Sequence, residues 1–170
     1  MKKIVLLLSL SLTLLTIAGA AEEKGSSKDK SSELATTEQH LAITPADLKW
    51  MDAPPGLPPG AKMAVLEGDP TKKGNFTVRL QSPAGYKIAP HTHPTSEHIT
   101  VISGSFSFGM GGTFDEAAGK EMAPGSYIVM PADMKHYGWS KDESVIQIHG
   151  MGPFKIKYVN PADDPRNAKK

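Results

Sequence analysis

The chain has 170 residues, 39% of them hydrophobic and 22% charged, with a formal net charge of +1 and no cysteine. That length allows one domain around one core, and near-neutrality argues against nucleic acid or an anionic membrane surface as a partner. Without cysteine there are no disulfides, and any bound metal must take nitrogen and oxygen ligands.

The N-terminus reads as an export signal over residues 1–20. Lys2 and Lys3 form a basic start, Ile4 to Ile17 is an apolar run broken only by Ser and Thr, and Ala18-Gly19-Ala20 is a small-residue cleavage site. The run is too short to span a bilayer comfortably. No cysteine follows it and no twin arginine precedes it, which points to the general secretion route and a periplasmic or secreted protein. Loss of Lys2 and Lys3 takes the formal charge from +1 to −1.

Residues 21–40 read as a disordered tether, because Glu22 to Glu33 carries almost nothing that can enter a core. Order is expected from about Leu41. Thr44-Pro45-Ala46-Asp47 has the form of a helix start, with Thr44 as N-cap and Pro45 at the first helical position. Trp50 and Met51 are expected to pack that turn onto the domain. Pro54 to Gly60 is too proline-rich for a helix and reads as an extended arm wrapping the barrel.

From Lys62 onward the chain reads as short strands punctuated by Gly and Pro. The expected strands are Lys62 to Glu67, Phe76 to Gln81, Tyr86 to His93, Glu97 to Ile102, Ser105 to Met110, Ser126 to Met130, His136 to Ser140, Val145 to His149 and Phe154 to Val159. Strands of this length and spacing predict an all-β architecture, closed or double-sheeted. Gly111 to Gly125 reads as a polar loop of the kind that shapes a barrel mouth. The domain is expected to span 41–160, followed by a polar tail over 161–170.

Five of the six histidines fall between His91 and His149. His91 and His93 are two apart, so on a strand both leave the same face. Glu97 begins the next strand past Pro94-Thr95-Ser96, and a return strand carrying His136 can close the set. His91, His93, Glu97 and His136 are therefore the candidate ligands of one divalent transition metal.

The spacing around these residues resembles the cupin superfamily. Its first motif, G(X)5HXH(X)3-4E(X)6G, is met at every position from Gly85 to Gly104. Its second, G(X)5PXG(X)2H(X)3N, is met at Gly125, Pro131 and His136, with Asp133 in place of the glycine and Ser140 in place of the asparagine. Asp tolerates turn geometry. The asparagine is not a metal ligand in that family, so Ser140 bears on hydrogen bonding around the site. The resemblance implies a jelly-roll β-barrel with one metal in its mouth, and on family grounds it favours Mn or Fe. Three imidazoles and a carboxylate also suit Ni, Co, Cu or Zn, whereas Ca is a poor match. Such a set leaves one or two coordination positions for water or substrate.

Other polar residues are weaker candidates. His98 follows Glu97 and should point away from the metal, into a hydrogen bond on the outer face. Gln147 and His149 share one face of a late strand and Ile146 and Ile148 the other. If the Ile pair packs outward, Gln147 and His149 line the cavity as catalytic candidates. Arg79 and Gln81 are candidate anchors for an anionic substrate, with an exposed arginine the preferred reading. Phe106, Phe108, Tyr127, Tyr137 and Trp139 are expected in the core or pocket wall, with Tyr137 and Trp139 in the core. The leading functional expectation is a metal-dependent oxygenase or isomerase acting on a small molecule. The alternative is a non-catalytic metal or small-ligand binding protein of the cell envelope. A vestigial site on a structural barrel is the weakest reading. The partner expected is a small molecule, with no nucleic acid and no membrane after signal cleavage; a homodimer is left open.

Overall fold

Among the described residues the chain forms eleven strands, the longer ones marked by alternation of apolar and polar residues. They are β1 (Met51–Asp52), β2 (Lys62–Gly68), β3 (Gly74–Ser82), β4 (Lys87–Thr92), β5 (Glu97–Ser103), β6 (Phe106–Met110), β7 (Lys120–Met122), β8 (Tyr127–Met130), β9 (His136–Trp139), β10 (Ser144–Gly152) and β11 (Lys157–Tyr158). The computed structural model describes residues 40–168. The expected signal peptide and, but for His40, the expected tether lie outside the described residues.

The strands form two antiparallel sheets, one in the order β1-β2-β3-β10-β5-β8 and one in the order β11-β4-β9-β6-β7. This is the expected all-β jelly roll. In β3, Phe76, Val78 and Leu80 are buried, while Thr77, Arg79 and Gln81 alternate to the other face. Across the ladders Ile148 pairs with Val78 and Ile99, and Ile146 with Leu80 and Val101. Each such side chain taken fully from water contributes roughly 1.5–3 kcal/mol. The core they form with Phe106, Phe108 and Ile88 lies between the sheets.

Turn chemistry sets the ends. The Asp69 carboxylate accepts from the backbone N–H of Thr71 at 2.9 Å and from its hydroxyl at 2.6 Å, closing the β2–β3 connection. Gly104 has φ +67, and a Cβ there would lie 2.2 Å from the carbonyl of Glu143, so only glycine fits. Asp133, at the position where the cupin motif has glycine, adopts φ +60, the left-handed geometry that Asp tolerates.

The N-terminal segment begins as expected. Thr44 precedes a 3-10 turn over Pro45–Asp47, and its N–H and hydroxyl both donate to the Asp47 carboxylate. Trp50 is half-buried, but Met51 is exposed on the edge strand β1, which pairs with β2. The proline-rich arm crosses the domain. Its carbonyls at Pro58 and Gly56 accept hydrogen bonds from the Tyr86 and Tyr158 hydroxyls at 2.8 and 2.9 Å.

The loop after β6 does not shape the cavity mouth. It includes the strand β7, paired with β6, and folds over the outer side of the second sheet. There Phe114 packs on Tyr137 and Trp139, with centroids 5.0 and 5.6 Å apart. Tyr137 and Trp139 are buried as expected, but in this satellite cluster and not in the main core. Tyr127 departs from expectation altogether: it is 54% exposed, because its parity on β8 turns it away from the core.

Candidate metal centre and its cavity

His91 is the penultimate residue of β4, His136 begins β9, and the two are direct partners in the β4–β9 ladder. His93 lies just beyond β4, and Glu97 opens β5. All four are buried. The ligand nitrogens of His91, His93 and His136 lie within 4.8 Å of one another. Glu97 Oε2 is 3.3 Å from His136 Nε2 and 3.6 Å from His93 Nε2.

Each ring is oriented from behind. Nδ1–H of His91 donates to the carbonyl of Ala89 at 2.7 Å, that of His93 to Lys155 at 2.8 Å and that of His136 to Met134 at 3.0 Å. With Nδ1 engaged as a donor, the lone pair sits on Nε2, which is how proteins fix a metal-ligating imidazole. Glu97 Oε2 is buried without a hydrogen-bond partner. Three inward-facing Nε2 atoms and a carboxylate oxygen fit a divalent transition ion, whose binding would satisfy all of them.

Electrostatics agree. Burial, helped by the neighbouring imidazoles, pushes His91 down to about 3, and burial also lowers His93. Burial opposes ionisation of Glu97, but His136 and the other imidazoles outweigh it and hold the carboxyl below its ordinary value. Burial likewise opposes charge on His136, and the Glu97 carboxylate outweighs it in turn. The cluster thus offers one carboxylate and at least two neutral imidazoles, a donor set ready for a cation.

The cluster opens on a cavity of about 400 Å³. Its wall is largely apolar and includes Phe76, Val78, Ile99, Phe106, Ile146 and Ile148. Pro54, Pro55, Gly56 and Leu57 of the arm also line it. Gly138 lies on the wall between the sheets, and a Cβ there would sit 2.5 Å from the Phe106 ring.

Gln147 and His149 are not on this wall. The Ile146 and Ile148 pair faces inward, so the polar pair of the same strand faces outward. Gln147 accepts from Arg79 Nε at 3.1 Å, and His149 stacks on His98 at 4.8 Å between centroids. The expectation that these two line the cavity, which required the Ile pair to pack outward, is corrected: the buried Leu80, Val78, Ile99 and Val101 beside the Ile pair fix the parity of β10. His98 does point away from the metal and shares a 2.6 Å hydrogen bond with the Tyr127 hydroxyl. Ser140 serves as a strut, its hydroxyl donating to the Pro83 carbonyl at 3.0 Å.

Two features escaped the sequence. Phe154 stacks on the His93 ring at 4.1 Å between centroids. Arg166, in the expected polar tail, lies on the cavity lining. No local pattern marks either position; both are set by the way the chain folds back after β10.

A match to the ChrR cupin-like domain covers residues 38–155. The chain belongs to this cupin family. Solved structures share the fold at low identity. The polyketide cyclase RemF from Streptomyces resistomycificus is 18% identical, with TM-score 0.61 over 75% of this chain and 90% of that one. An RmlC-like cupin from Ralstonia eutropha JMP134 is 18% identical, with TM-score 0.59 over 77% and 79%. The DMSP lyase DddQ from Ruegeria pomeroyi DSS-3 is 18% identical, with TM-score 0.52 over 66% and 61%. No curated protein matches the chain.

Proposed function

We propose that this cupin is a metal-dependent enzyme of the cell envelope, periplasmic or secreted, acting on a small molecule by oxygenase or isomerase chemistry. The observation that carries the reading is the buried His91–His93–His136 cluster, with Glu97 against it, opening on a largely apolar cavity. Glu97 is the fourth ligand in this proposal, and Mn or Fe is the favoured ion. A bound ion would supply Lewis acidity or redox chemistry at its open positions. The chain's own residues hold the donor set in place, exclude water with the apolar wall and receive the organic body of the substrate. RemF and DddQ, named as a polyketide cyclase and a DMSP lyase, illustrate that the same fold carries enzymes.

A non-catalytic ligand-binding role is the second reading. It is favoured by the cavity lining, where the titratable side chains beyond the cluster are Lys155 and Arg166, both cationic, and where Gln147 and His149 are absent. Metal analysis of protein purified from its native compartment tests the common premise. Oxygen uptake by the iron-loaded protein with a panel of diketones and catechols separates the oxygenase reading from the binding role. Turnover supports the first, and saturable binding without turnover supports the second.

A further inference from the structure

Arg166 reaches the cavity from a 3-10 turn over Pro165–Asn167. Its Nε and Nη2 donate to the Asp164 carboxylate at 2.7 and 2.6 Å, and Nη2 also donates to the Ile156 carbonyl at 3.1 Å. One edge of the guanidinium is therefore fixed. Nη1 has no hydrogen-bond partner among the described residues. It stands over Gly56, where a Cβ would lie 3.8 Å from Nη1 and 2.8 Å from Ile156. Gly56 and Ile156 both line the cavity, so this free edge is at its rim.

One short segment connects that rim to the metal cluster. The Phe154 ring stacks on His93, the Lys155 carbonyl holds His93 Nδ1, and the Ile156 carbonyl holds Arg166. Lys155 and Arg166 are both exposed on their outer sides, but of the two only the Arg166 side chain is held by hydrogen bonds among the described residues. The remaining wall outside the metal cluster is largely apolar, and an anion placed against it unpaired would be costly.

We propose that Arg166 is the anion-recognising residue of this cavity, and that its ligand is a small carboxylic acid with an apolar body. The proposal rests on the reading of the cavity as the ligand site beside the metal. Asp164 orients the guanidinium, and the Nη1 edge donates to the carboxylate in a charge-assisted hydrogen bond. The apolar body then lies along the Ile and Phe wall toward the metal cluster.

Calorimetric titration of the metal-loaded full chain with hexanoate and with hexanamide, at one salt concentration, tests this. Wild type should prefer hexanoate by about tenfold or more. Arg166→Gln should cut the preference to about twofold or less, with hexanamide affinity and metal content unchanged, and Arg166→Lys should keep part of it. A preference that survives in Arg166→Gln would mean that the metal or another group reads the acid, and overturns the proposal. So does equal binding of the two probes by wild type, or binding of neither at millimolar concentration. A chain that takes up no metal defeats the metal reading alone, because the acid preference can be measured equally well on the metal-free protein.

Discussion

His91 and His136 face each other as register partners on β4 and β9, their ring centroids 4.3 Å apart, and each donates Nδ1–H to the carbonyl two residues earlier. The backbone of two adjacent strands thus presets both imidazoles. Either His91→Ala or His136→Ala should weaken metal binding by more than about a hundredfold, since each removes a ligand from a preset group. His98→Ala, on the outer face, should leave metal content unchanged. Metal analysis after gel filtration checks all three, and loss of metal from the His98 variant would contradict this assignment.

Glu97→Gln probes the fourth ligand. Metal at about 100 times its dissociation constant should stabilise the native protein by about 2.7 kcal/mol. Glu97→Gln should shrink that metal-induced rise in melting temperature without unfolding the chain. An unchanged rise, measured with and without chelator, would remove Glu97 from the ligand set.

Protons compete with the metal for the same nitrogens. His136 stands above the ordinary imidazole value because of Glu97, so it is the first to protonate as pH falls, while His91 stays neutral to about 3. Metal affinity should therefore fall as pH drops from above to below the ordinary imidazole value of about 6.5, with His136 responsible for the onset. A flat affinity over that range would contradict the sign.

Gln147→Ala and His149→Ala should each leave metal content and cavity binding unchanged, because both side chains lie across the sheet from the cavity. Stability should change by about 1 kcal/mol or less for either. The sequence could not decide this orientation. Both faces of β10 alternate cleanly, and only the neighbouring strands β3 and β5 show which face is buried.

Most strands and the clustering of His91, His93, Glu97 and His136 were legible because short-range signals carry them: period-two alternation, Gly and Pro punctuation, and the HXH spacing. β1 and β7 were not, since Met51–Asp52 and Lys120–Met122 are short stretches whose strand character comes from pairing with β2 and with Phe106 to Phe108. The positions of Arg166 and Phe154 were hidden for the same reason. A contact between residues 156 and 166, or between 93 and 154, leaves no periodic trace in the sequence.

The export reading predicts a mature protein beginning at Ala21. N-terminal sequencing of the periplasmic or culture fraction checks it, and an intact Met1 on membrane-bound protein would indicate an uncleaved anchor.

The central claim is an open transition-metal site facing a ligand cavity. Titration of Co(II) into metal-free protein, followed by a small diketone, tests it most directly through the visible spectrum. The account predicts one Co(II) per chain and a spectrum that changes when the diketone displaces water, because four protein ligands leave the coordination shell incomplete. Full occupancy with a spectrum indifferent to the diketone and to every other small chelating ligand would mean a closed structural site, and would contradict it.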